Sequence, residues 1–168
     1  MELFERLWEL SFWEKFADFH GSLAMFSLVL YGAAIVLYFV VLENHELLVW
    51  FKNVLFVLFL DLLILDVAGL SVYVPYRATG GPRTILKSSE STAWLHGIVF
   101  EHKEFLAFAP PLLVLTAILL VLKLGKDYSE KEFNYARKAV IFSLIAALVF
   151  TLVVAAEAVL VTKVAPVS

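Results

Sequence analysis

The sequence predicts an all-α fold: an integral membrane four-helix bundle running up and down, preceded by an N-terminal amphipathic interfacial helix. Three observations predict it. Of the 168 residues 62% are hydrophobic, with a mean hydropathy of +0.89, where soluble domains are about 45–50% apolar. Four apolar runs each reach the roughly 20 residues that a helix needs to cross hydrocarbon. Short polar stretches separate the first pair and the last pair, which makes those neighbours antiparallel.

The elements follow in order. Residues 1–19 hold Leu3, Leu7 and Leu10 at helical spacing, with Trp8 and Trp13. That pattern predicts a helix lying in the membrane interface, set apart from a bundle at 20–168. Its first ten residues carry three glutamates and one arginine, unlike the positive start of a secretory signal. The spans are expected at about 21–42, 47–74, 94–123 and 135–162. Glu43-Asn44-His45-Glu46 is a tight turn between the first two. The stretch PYRATGGPRTILKSSEST at 75–92 reads, from its Pro, Gly and Ser, as a structured loop without a helix of its own. Ser129-Glu130-Lys131-Glu132 fits a capping box that would start the fourth span.

Both termini and the long connection then lie on one side, called side A, and the two short turns on side B. Lys and Arg are equally many near the two sides, but those of side B crowd into shorter loops. The positive-inside tendency then puts side B in the cytoplasm and both termini on the non-cytoplasmic side of the cell membrane. Small residues on span one (Ala24, Gly32, Ala33, Ala34) and span four (Ser143, Ala146, Ala147, Ala155, Ala156, Ala158) are expected to form the inner seam.

Composition excludes several classes. The net charge is −3 and no basic stripe is present, which argues against nucleic acid. There is no cysteine, so disulfides, thiolate metal sites and thiol catalysis are absent. Gln is also missing, a depletion in the thermophile direction. No Ser–His–Asp grouping, phosphate loop or nucleotide fingerprint is present.

The chemistry-bearing residues share a depth. Counting about 20 residues from side B at 1.5 Å per residue reaches Asp66 on span two, Lys103 beside Glu101, His102 and Glu104 on span three, and Glu157 on span four. His20 opens span one at the same level, and Asp61 lies deeper. Ionisable groups inside spans are costly and face the bundle interior or a wet cavity. Pro110-Pro111, just below this belt, are expected to kink span three. Side B shows almost no matching interior groups.

Three chemistries fit. His20 and His102, with His96 in reserve, lie on spans that can oppose each other, as a b-type haem requires; Arg77 and Arg83 would pair with its propionates. In this the chain resembles small four-helix membrane cytochromes of the b type, on its four spans and on His20, His96 and His102. The resemblance implies haem b and electron exchange with a quinone or a soluble redox protein on side A. Alternatively, Asp66, Glu101, Glu104 and Glu157 with one His offer an oxygen-rich site for non-haem iron, manganese or zinc. Asp61, Asp66 and Glu157 also suit a proton relay opening to side A, but a path that stops halfway fits a redox or binding site better than a complete channel. An accessory subunit of a larger membrane complex, or a homo-oligomer, needs none of these chemistries.

Overall fold

The computed structural model describes residues 10–165. Residues 1–9 of the segment read as an interfacial helix, 1–19, lie outside the described residues. Its residues 12–19 belong to helix α1, Phe12–Glu43, which runs without interruption past residue 20. A capping box starts it: the Ser11 hydroxyl accepts from Glu14 N–H at 3.2 Å, and the Glu14 carboxylate accepts from Ser11 N–H at 2.7 Å.

A tight turn through His45–Leu47 leads into α2, Leu48–Arg77. The connection beyond it contains two short helices, α3 (Pro82–Lys87) and α4 (Glu90–Trp94), where the sequence predicts a loop without a helix. Pro82 sits in the first turn of α3, where a missing N–H costs nothing. Gly81 makes the corner: a Cβ there would lie 2.4 Å from the Pro75 carbonyl oxygen.

The third membrane-crossing element is built in pieces. After α4 comes a wide π-helical stretch at Leu95–Phe100, then α5 (Glu101–Leu106) and α6 (Ala109–Leu124). The interruption falls at Ala107-Phe108. Pro110 and Pro111 occupy the first turn of α6, so the prolines begin a new helix, which the ring tolerates, and do not bend the middle of one. Two short turns then lead to α7, Asn134–Val164. No side chain caps α7, so the expected box at Ser129 is not formed. The Ser129 hydroxyl donates instead to the Val41 carbonyl at 3.2 Å and meets His45 Nδ1 at 3.2 Å. It fastens the two side-B turns to each other.

The described chain is thus all-helical, with four helical stretches long and apolar enough to cross a membrane. α1 packs on α2, α2 on α6, α6 on α7 and α7 on α1, closing the bundle. Two apolar clusters fill it. The larger, with Tyr31, Leu55, Leu58, Val114 and Leu144, occupies the middle and side B. The smaller, with Tyr76, Leu86, Leu95, Phe100 and Val161, lies under α3 at side A. Of the expected small-residue seam, Ala34 and Ala147 are fully buried, whereas Gly32 and Ala156 face outward.

Candidate functional site

The polar belt lies between the two apolar clusters. His20 of α1 reaches across to α2, where its Nδ1–H donates to the Leu65 carbonyl at 3.1 Å. A carbonyl only accepts, so Nδ1 carries the proton and Nε2 is left bare. The ring seats against Gly69, where an added Cβ would come within 3.1 Å of His20 Cε1. A glycine is what lets the imidazole lie on the α2 backbone.

On the other half of the belt, His102 Nδ1 meets Glu157 Oε1 at 2.6 Å. The second carboxylate oxygen of Glu157 is buried without a hydrogen-bond partner. Lys103 stands between the halves, near enough to His20, Glu104 and Glu157 to act on them electrostatically. Its ammonium also lies 5.0 Å from the Phe100 ring centre. Glu101 and His102 face outward.

His96 is engaged at both nitrogens. Arg83 Nε–H donates to its Nε2 at 3.4 Å, and its Nδ1 meets the Tyr76 hydroxyl at 2.9 Å. An arginine cannot accept, so the neutral ring carries its proton on Nδ1 and donates to Tyr76. Tyr76 in turn stacks on Phe100 at 3.9 Å between centroids, with Tyr73 parallel to both. Arg77 lies 4.3 Å over the Tyr73 ring. The three histidines expected as ligands therefore make three separate sets of contacts. The carboxylates Asp66, Glu101, Glu104 and Glu157 do not gather either: among the described residues no group of three or more His, Asp or Glu side chains is placed to hold a metal ion.

One polar pair lies deeper. Asp61, 5% exposed, has Oδ2 2.6 Å from the hydroxyl of the fully buried Ser27. The same hydroxyl is 3.0 Å from the Leu23 carbonyl. A serine owns one hydrogen and here faces two acceptors. If Asp61 is ionised, Ser27 donates to it. If Asp61 is protonated, the acid donates to Ser27 and Ser27 donates to Leu23. Rotation of one hydrogen accommodates both states without moving a heavy atom.

One turn below, the Tyr31 hydroxyl meets Thr151 Oγ1 at 3.2 Å, and Thr151 donates to the Ala147 carbonyl at 2.9 Å. Both Asp61 and Asp66 lie within electrostatic reach of Tyr31.

Side B is not the blank that the charged residues alone imply. Tyr38 and the fully buried Tyr128 flank Phe51, with centroids 6.4 and 5.9 Å away. Arg137 donates to the Tyr128 and Glu130 carbonyls at 3.2 and 2.9 Å. The Tyr128 hydroxyl is buried and unpartnered. Between Tyr31 and Tyr38, seven residues or about 10 Å along α1, the interior is wholly apolar: Ala34, Leu55, Leu58, Val114, Leu144 and Ala147 are each 0% exposed.

Four apolar crossings with a polar interior at one end define the class of protein the fold permits, a membrane helical bundle. Compared with protein families, curated proteins and solved structures, the chain matches none.

Proposed function

We propose that this protein moves protons within the membrane, with Asp61 as the group that takes up and releases them. The carrying observation is the Ser27–Asp61 pair. A carboxyl deep in hydrocarbon is expensive and is usually kept for a role. Here its neighbour serves both protonation states by turning one hydrogen. The belt of His20, Lys103, His102 and Glu157 forms the side-A approach, Asp66 lies on the belt side of Asp61, and Tyr31 lies one turn beyond Asp61 towards side B. The apolar layer below Tyr31 acts as the barrier.

The test is proton flux in proteoliposomes holding a pH-sensitive dye, driven by a potassium-diffusion potential. The wild type is expected to exceed protein-free vesicles. Asp61→Asn is expected to fall to the empty-vesicle rate, and Ser27→Ala to lose about tenfold, the equivalent of one hydrogen bond to a charged group. An Asp61→Asn protein that conducts as well as the wild type, while remaining folded by circular dichroism, removes the reading.

A second reading, electron transfer through haem b, has one observation in its favour. His20 and His102 both present Nδ1 to an acceptor and leave Nε2 unengaged, which is how ligating imidazoles are oriented by their surroundings. In this reading each Nε2 would be a ligand to the iron, which would supply one-electron chemistry, and the acceptor behind each ring would fix it, although the His20 ring lies on α2 and His102 faces outward, so the two rings share no pocket in this structure. A Soret band lost in both His20→Ala and His102→Ala would establish it. Purified protein that stays colourless after incubation with hemin would end it.

A further inference from the structure

Three cations gather at the side-A rim around buried His96. Arg83 touches its Nε2 at 3.4 Å, and Lys87 and Arg77 act on it from nearby. Among the described residues none of the three has a carboxylate within 4.0 Å, although Glu90, Glu101 and Glu104 belong to the same region. Arg83 spends one of its five donors on the histidine, and Arg77 lies against a tyrosine face.

The surroundings place this rim at the level of lipid headgroups. Trp94 is half exposed, and its indole N–H donates to the Ser91 carbonyl at 3.0 Å. Tryptophan in this partly wet position marks the membrane interface. Ile85, on the same short helix as Arg83 and Lys87, is 48% exposed, and Val74, one turn before Arg77, also faces outward. Glu101 acts on His96 and Arg77 acts on Glu104 from beyond contact range, so the three cations keep donors free of a contacting carboxylate, and beside outward apolar side chains they match a ligand that is anionic at one end and apolar at the other.

We propose that Arg77, Arg83 and Lys87 bind the phosphate of an anionic phospholipid in the side-A leaflet. Arg83 would present its two terminal nitrogens to the phosphate oxygens while its Nε holds His96, and Arg77 and Lys87 would close on the phosphate from either side. The acyl chains would descend past Ile85 and Val74. Binding here needs neither protons to move nor a haem to be present, so it stands apart from both readings above.

The experiment uses the full chain, delipidated in neutral detergent. Phosphatidylglycerol and phosphatidylcholine micelles are compared by thermal unfolding and by native mass spectrometry. Retention of phosphatidylglycerol over phosphatidylcholine is expected. Each removed cation should cost about fivefold in affinity, as for a basic side chain at an anionic surface. The double variant Arg77→Gln/Lys87→Gln changes two exposed side chains and leaves the Arg83–His96 contact in place. It should lose about 25-fold by the same rule.

Equal retention of the two lipids, or a double variant with wild-type selectivity, overturns the proposal. Inorganic phosphate is the third arm. If millimolar phosphate displaces the lipid and reproduces its stabilisation, the site belongs to a soluble phosphate and the lipid assignment fails.

Discussion

At the scale of single residues, the interior of this bundle is decided by hydrogens more than by charges. Ser27 can serve Asp61 in either state. Tyr128 has no such partner. A buried hydroxyl without a hydrogen bond costs about 1–3 kcal/mol, so Tyr128→Phe is expected to match or exceed the wild type in thermal unfolding. A loss of more than about 1 kcal/mol would mean that the hydroxyl is satisfied by something bound there. Asp61, Asp66 and Glu157 were legible because a carboxylate stands out in an apolar run. Ser27, Tyr31, Thr151, Tyr38 and Tyr128 were not, since hydroxyl side chains are ordinary in spans. A signal did exist: His20, Ser27, Tyr31 and Tyr38 are spaced by seven, four and seven, one face of a helix.

The elements show how the same motif can be used or left idle. Ser11-Phe12-Trp13-Glu14 forms a capping box, while Ser129-Glu130-Lys131-Glu132 does not. The two are equally good as text. The difference is tertiary: Val41 and His45 claim the Ser129 hydroxyl, and no pattern local to the turn contains that fact. The four spans, their antiparallel pairing and the shared depth of the belt were readable from apolar length alone. The helix Pro82–Lys87 is hidden in the sequence because Pro and Gly read as loop signals, although Gly-Pro before a run of non-Gly residues also suits a helix start. The corner beneath it is the most demanding backbone position. Gly81→Ala would drive a methyl to 2.4 Å from the Pro75 oxygen, where a backbone atom cannot step aside. It is expected to destabilise the fold by about 2–4 kcal/mol and to detach Arg83 from His96. Thermal unfolding reads the first effect. Histidine NMR shifts read the second, and an unchanged His96 resonance would show that α3 holds its place without the corner.

On the scale of the whole molecule, the parts sort into layers along the bundle axis: a cationic rim, an aromatic stack, a polar belt, a dry middle and a tyrosine–arginine foot. The layers explain why the sequence could locate the belt but not its wiring. Depth is additive along each helix, at about 1.5 Å per residue, whereas the partner of each group depends on how the helices are turned about their own axes. His96 and His102 illustrate it. They share one stretch of chain, yet one turns inward to Tyr76 and Arg83 while the other meets Glu157 at the bundle's outer surface.

The dry middle has an electrical meaning. On the proton-transfer reading, groups above and below it that move or reorient charge would flatten the potential in their own regions, and a voltage applied across the bilayer would fall mainly over the short stretch from Tyr31 to Tyr38. Each elementary charge crossing there would gain or lose nearly the full transmembrane work, about 2.3 kcal/mol per 100 mV. If protons pass as proposed, current through the protein should then rise steeply with voltage. Widening that stretch with water, as Leu58→Asn would do, should make the response shallow. A voltage clamp on planar bilayers measures both slopes, and identical slopes would mean that the field drops elsewhere.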